Sequence, residues 1–308
     1  MNLTPPPTHL SAEAAAYLEH PPPPPTIDYD DHPGISALRE EIHAEWLAGN
    51  DQLADPWVWR NETIADVPVV YFASDDALLD GKQIIVHIHG GSYFCGSPMT
   101  NASMIVPIAQ RSGLPVVSID YRLAPEHPFP AGADDCLAVV SELATSHEVA
   151  AMYGESAGGG LALTSAVGLR DAGLPLPRRL ALLSPWNDLT TSGDTYKTMM
   201  GIDPDFTDPA EPVATARMYA DGALDDPRAS PLYADHTGLP PTLIQVGGRE
   251  ILLSDSIRTA AAMRRAGCAV TLDVWDGLWH VWQLWHHVPE AMDAFDELAA
   301  FLVPPPSK

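Results

Sequence analysis

Ser156 stands at the centre of Gly154-Glu155-Ser156-Ala157-Gly158, directly after the apolar run VAAMYG and directly before the helical stretch LALTSAVGLRDAG. A serine hydroxyl is a weak nucleophile. It needs a neighbouring base and a backbone turn sharp enough to lift Oγ clear of its own chain. Glycines two residues to either side allow that turn, and the helix that follows aims the positive end of its peptide dipoles at the place where an oxyanion would develop. G-x-S-x-G by itself also describes a glycine-rich turn with an incidental serine. The flanking strand and helix favour the nucleophile.

Two further segments supply what acyl transfer requires. IIVHIHGGSYFCG places His89-Gly90-Gly91 at the end of a second buried strand, where the backbone N–H groups of Gly90 and Gly91, with that of Ala157, are the expected oxyanion donors. His87 and His89 alternate on one face of that strand, but no carboxylate or cysteine lies nearby at ligand spacing. His89 is therefore read as shaping the loop, with no metal and no cofactor expected. Further on, DVWDGLWHVWQLW follows the last strand-like run and puts His280, one of 12 histidines, in a loop at a strand C-terminus. His286 and His287 fall on the next stretch and suit an ordinary surface or core role. The acid comes from the loop after PTLIQVGG, which offers Glu250 and Asp255. Glu250 follows the strand at once. Asp255 stands where a helix N-cap or first-turn charge is the ordinary explanation. The order serine, acid, histidine makes Ser156, Glu250 and His280 the expected triad.

These side chains need a rigid scaffold, and the rest of the chain reads as one. WVWRNETI and VPVVYFA suggest a hairpin, and QIIVHIH, PVVSIDY, VAAMYG, RLALLS, PTLIQVG and AVTLDVW are mostly continuous apolar runs of the kind found in strands buried on both faces. Helical stretches alternate with them near residues 101–111, 133–144, 158–171, 256–266 and 290–302. The pattern predicts an α/β fold with a mostly parallel sheet flanked by helices. Two regions depart from it. The N-terminus carries proline clusters at Pro5–Pro7 and Pro21–Pro25, a short helix SAEAAAYLEH, and helically spaced Ile35, Leu38, Ile42, Trp46 and Leu47. Residues 187–226 show no convincing strand and read as an inserted helical cap.

Composition narrows the partners. Lys and Arg total 16 against 41 Asp and Glu, a net charge of −25 that disfavours nucleic acid and anionic membrane surfaces. Cys95, Cys136 and Cys268 are widely spaced and read as free thiols. With no signal-like start and no run of membrane-spanning length, a cytoplasmic protein is the default expectation.

HGGSYFCG, GESAGGG, Ser184-Pro185-Trp186 and the segment from Asp120 to Ala131, DYRLAPEHPFPA, together resemble the bacterial hormone-sensitive-lipase-like (family IV) carboxylesterases, a branch of the α/β-hydrolases. The resemblance implies an α/β-hydrolase core from 51–186 and 227–308, under a cap made by 1–50 and 187–226. It implies hydrolysis of small, short-acyl esters without a cofactor, and, by analogy, a homodimer. It also implies that Asp120, Arg122 and Glu126 serve ion pairs or turns. Many members carry the acid in Asp-Pro-Leu, where this chain has Arg249-Glu250-Ile251-Leu252; a branch using Glu is what the resemblance implies. Tyr93, Phe94, Trp186 and Trp279 are consistent with a compact apolar substrate pocket. An amidase, lactonase or acyltransferase would use the same site. A non-catalytic receptor on this scaffold would lack the working histidine, and a proline-rich interaction protein is the remaining alternative.

Overall fold

The computed structural model describes residues 5–23, 27–29, 31–50 and 53–304. Residues 1–4 of the expected cap, and Pro24 and Pro25 of the second proline cluster, lie outside them. Eight strands form one sheet: β1 (Val58–Ile64), β2 (Val67–Ala73), β3 (Gln83–Ile88), β4 (Val116–Ile119), β5 (Glu148–Glu155), β6 (Leu180–Leu183), β7 (Thr242–Gly247) and β8 (Val270–Trp275). Their order is β1-β2-β4-β3-β5-β6-β7-β8. The β1–β2 and β2–β4 pairs are antiparallel and all others parallel, as the sequence pattern predicts. Ala65 and Asp66, at φ 50° and 64°, turn the β1–β2 hairpin, because two left-handed residues match the twist of the strands they join.

Alternate residues of the buried strands face opposite layers. Ile84, Val86 and Ile88 join Leu180 and Leu182 on the side covered by α4 (Ala131–Ser146), α5 (Ala157–Asp171) and α8 (Leu253–Arg265). Ile85, Tyr153, Ala181 and Leu183 face α3 (Ala102–Ser112) and α9 (Pro289–Leu302) on the other. Both faces are apolar, so the strands read as unbroken hydrophobic runs rather than alternating ones.

After β3 the chain crosses outward to β4 and then returns to β5 on the other side of β3. That reversal opens a crevice above the C-terminal ends of β3 and β5, where open α/β sheets bind their ligands. The loop carrying His89 to Gly91 and the turn carrying Ser156 therefore arrive side by side.

The two regions outside the alternating pattern pack onto this frame. Helix α1 (Ala12–Glu19) is capped by Ser11 and lies against Trp279, Trp282 and α9. Helix α2 (His32–Gly49) sets Ile35, Ile42 and Trp46 against Phe94 and Met218. Its Arg39 donates to the carbonyls of Phe94 (2.6 Å) and Ala124 (2.7 Å) and forks onto Glu126. Residues 187–226 are less helical than expected, with α6 (Thr195–Thr198) and α7 (Glu211–Ala220) separated by turns. Pro204 and Pro209 cannot donate backbone N–H bonds, and Asp203 and Asp208 accept them from the residues two ahead, so local turns win over helix. Among the described residues no helix is long and apolar enough to cross a membrane.

Leu182 is fully buried in the strand between β5 and β7. Leu182→Ala is expected to destabilise the protein by about 3 kcal/mol, measured as a lower urea midpoint with an unchanged slope.

Candidate active site

Ser156 occupies a backbone conformation that L-residues avoid, φ 55° and ψ −121°. Neighbouring bonds hold it there: its N–H donates to Leu183 O at 2.8 Å, and its carbonyl accepts from Trp186 N at 2.9 Å. The flanking glycines are required by contact. A Cβ on Gly154 would lie 2.4 Å from Gly158 O, and one on Gly158 would lie 2.0 Å from Ile88 O. Any larger residue at either position would push the turn off β3.

His280 Nε2 lies 3.0 Å from Ser156 Oγ, and His280 Nδ1 lies 3.4 Å from Glu250 Oε1. The second contact is long for a charge-assisted bond. Glu250 is fixed through its other oxygen, which accepts from Ser184 Oγ (2.7 Å) and Gly247 N (2.8 Å). Ser184 Oγ also accepts from Val281 N at 3.3 Å. One hydroxyl thus ties β6, the acid loop and the histidine loop together. Ser184 belongs to the Ser-Pro-Trp motif, yet only its neighbours in space reveal this work.

Asp255 lies elsewhere. Its Oδ2 accepts from the N–H groups of Asn187 (3.0 Å) and Asp188 (2.9 Å), and burial, reinforced by Asp188, raises its carboxyl well above the usual range. It anchors the start of the 187–226 segment rather than the N-terminus of α8.

The glycine loop requires a correction. Gly90 N–H donates to Glu155 Oε1 at 2.7 Å, so it is not free to meet an oxyanion as its place in the motif suggests. In this loop and turn the N–H groups of Gly91, Ser92, Tyr93, Ala157 and Gly158 have no partner among the described residues, and those of Gly91, Ser92 and Ala157 are the ones taken below as oxyanion donors. Ser92 has φ 54°, a reversal that no sequence pattern announces in a serine.

Glu155 itself emerges as a site residue. Its Oε1 also accepts from Asn101 Nδ2 at 2.9 Å, and its Oε2 pairs with His87 Nε2 at 2.8 Å. Burial alone would raise this carboxyl. The charge and hydrogen bond of His87, with the Gly90 N–H, outweigh burial and hold it below its usual range. His89 is a different case. Burial pushes it down to about 4, and its ring stacks on Tyr121, whose hydroxyl donates to His89 O at 2.9 Å. His89 shapes the loop as a neutral ring. Among the described residues no cluster of three or more His, Cys, Asp or Glu side chains is arranged to hold a metal.

The expected pocket aromatics are packing groups. Tyr93 stacks on Tyr219 (3.8 Å between centroids) and leans on Trp186, supporting α5 from beside Gly160. Phe94 packs beneath α2, and Trp279 stacks with Tyr17 of α1. The ring set against the imidazole is Phe206, edge-on at 5.4 Å. It was visible in the sequence only as one apolar residue of the insertion.

A strained serine at the end of β5, flanked by groups from the ends of β3, β6, β7 and β8, is the arrangement that defines the α/β-hydrolase class. Comparison with known proteins agrees. The family described by the alpha/beta hydrolase fold matches residues 85–284. The chain is 38% identical over 230 residues to the acetyl-hydrolase of Streptomyces hygroscopicus, covering 72% of this chain and 76% of that protein. It is 35% identical over 230 residues to an esterase of Acinetobacter venetianus, covering 73% and 76%. The crystal structure of an esterase from the bacterial hormone-sensitive lipase family superposes with a TM-score of 0.81 at 35% identity, covering 90% of this chain and 92% of that one. The chain belongs to the alpha/beta hydrolase family, in its bacterial hormone-sensitive-lipase-like (family IV) branch, and is a carboxylic ester hydrolase.

Glu155→Ala leaves His87, Asn101 and the Gly90 N–H without their shared acceptor in a buried site. Turnover of a simple ester is expected to fall by about 10²-fold or more, and stability by roughly 2–4 kcal/mol, measured by steady-state kinetics and urea unfolding.

Proposed function

We propose that this esterase hydrolyses small, short-acyl esters through an acyl-enzyme formed on Ser156. The observation that carries the reading is the continuous contact from Ser156 Oγ to His280 Nε2 at 3.0 Å and from His280 Nδ1 to Glu250 at 3.4 Å. Ser156 Oγ attacks the ester carbonyl carbon as its proton passes to His280 Nε2. The carbonyl oxygen becomes an oxyanion, received by the N–H groups of Gly91, Ser92 and Ala157. The tetrahedral species collapses, and His280 returns the proton to the departing alcohol. Water then attacks the acyl-enzyme with His280 again as base, releasing the acid and restoring the serine. Glu250 holds the Nδ1–H tautomer and stabilises the imidazolium, for which its fixed position suits it.

The segments 1–50 and 187–226 act in this reading as a cap. Helix α2 packs beneath the oxyanion loop at Phe94, and the insertion sets Phe206 against His280, so both contribute walls to the space over the serine.

Ser156→Ala and His280→Ala are each expected to lower turnover of a short-chain aryl ester by roughly 10⁶-fold, and Glu250→Ala by about 10⁴-fold. Near-normal activity in pure Ser156→Ala protein would sink the assignment. In a series of p-nitrophenyl esters, kcat/KM is expected to peak between acetyl and butyryl and to fall steeply by decanoyl. A rising trend would refute the short-acyl reading.

A further inference from the structure

Beyond the three residues of the relay, one more carboxyl group is held in the neighbourhood of His280, beside the residue whose ring packs on the imidazole. Asp205 lies in the insertion between α6 and α7, enclosed by protein yet still partly open to solvent, as expected of a group lining a cleft. Its surroundings are fixed from two sides. Tyr17 of α1 donates its hydroxyl to Asp205 Oδ1 at 3.1 Å, while its ring stacks at 4.2 Å on Trp279, the residue before His280. Helix α1 is in turn pinned to α9, since both the N–H and the Oγ of Ser11 donate to Glu290 at 2.7 Å. On the other side, Asp203 Oδ1 accepts from Asp205 N at 3.2 Å, and its Oδ2 accepts from Ile251 N at 3.0 Å, next to Glu250. Phe206, the next residue along, presents its ring to the imidazole.

We propose that Asp205, held by Tyr17, is a positioning residue that acts on His280 as a second negative charge and stabilises the imidazolium formed during acyl transfer. The proposal rests on the assignment of His280 as the base. It gives the N-terminal helix a part in the chemistry, because the hydroxyl that steadies this carboxylate comes from α1.

The titratable groups facing Asp205 are Tyr17 from α1, Asp203 from its own segment, Glu211 from α7, Glu250 from the loop after β7 and His280 from the loop after β8. They divide by environment. Burial, with Asp205 and Glu250 nearby, raises Asp203 well above the carboxylate range. Burial raises Asp205 less far, to about 6, with His280 and the Tyr17 hydroxyl opposing the rise. Of the two, Asp205 is the one that ionises at the lower pH. A carboxylate near an imidazole favours the imidazolium, and the interaction is stronger in a site with little water.

The sign of the effect follows. Removing the Asp205 charge disfavours the protonated ring, so the neutral, base-competent imidazole persists to lower pH. The same loss weakens the imidazolium in the transition state. The test compares full pH profiles of kcat and kcat/KM on p-nitrophenyl acetate for the wild type, Asp205→Asn and Tyr17→Phe. Labelling of Ser156 by an organophosphonate is followed in parallel at alkaline pH.

In Asp205→Asn the acid limb is expected to move down by about half a pH unit or more, while plateau kcat falls roughly three- to tenfold with little change in KM. Tyr17→Phe keeps the ring on Trp279 but removes the donor, so Asp205 holds its proton to higher pH. The limb then shifts the same way by less, and this variant carries the test if Asp205→Asn does not fold. A merely structural role would lower kcat at every pH and leave the limb in place. That result, with Ser156 still labelled, overturns the proposal. Failure of the wild type to take the label would overturn the nucleophile assignment and the proposal with it.

Discussion

Strands β3 and β5 can lie side by side and still lift a serine out of the sheet only because no side chain stands between the end of β3 and the first turn of α5. The carbonyls of Ile88 and His89 approach Gly158 so closely that a Cβ would overlap them at 2.0 and 2.4 Å. This contact fixes the angle at which α5 leaves the turn, and so places Ser156 Oγ opposite His280. The φ of 55° at Ser156 is the conformational cost of the arrangement, of order 1–3 kcal/mol. Backbone bonds to Leu183 and Trp186 from the neighbouring strand end hold the residue there.

A single buried carboxylate joins this turn to the oxyanion loop. Glu155 is the residue before the nucleophile, so its backbone is part of the elbow, while its side chain gathers Gly90, Asn101 and His87. The loop after β3 is therefore referenced to the same peptide that carries the serine. One side chain thus fixes the position of the Gly90 loop relative to Ser156. An uncompensated carboxylate here would be expensive. His87 beside it, with its own second nitrogen engaged by Ser118 at 2.9 Å, makes it tolerable.

Most of the architecture was legible because buried parallel strands announce themselves as apolar runs, and all eight runs became strands. That Ser156, Glu250 and His280 would meet was also legible, since each follows such a run and the sheet topology brings strand C-termini together. Direction within a loop was less so. Gly90 looks like a donor because it lacks a side chain, but which way a peptide N–H points depends on a neighbour 65 positions away in sequence, the Glu155 side chain. Ser92 carries no signal, because its left-handed backbone is imposed by the loop rather than favoured by its residue type. The aromatics, whose alternative reading as simple core the packing favours, show a related effect. Tyr93, Phe94, Trp186 and Trp279 flank chemically important residues along the chain, yet adjacent side chains leave the backbone in different directions, and burial of a large ring is satisfied as well by α1, α2 or α7 as by a substrate.

The two carboxylates that follow β7 show how strongly environment, rather than residue type, assigns a task. Glu250 has a side chain long enough for one oxygen to turn back to Gly247 N at the strand end while the other faces His280. Asp255, five residues later, has been turned inward by α8, where burial and nearby Asp188 raise its carboxyl well above the usual range and its Oδ2 receives the first two N–H groups after Trp186. In the protonated form it costs little to bury and can still accept those bonds. One carboxyl group is thus held beside an imidazole, and the other is sealed away to fasten the start of the 187–226 segment. Separation of paired carboxyl groups into distinct roles by burial is a general route to acid–base function at neutral pH, and here the six residues from Glu250 to Asp255 supply both a partner for His280 and an anchor for the insertion.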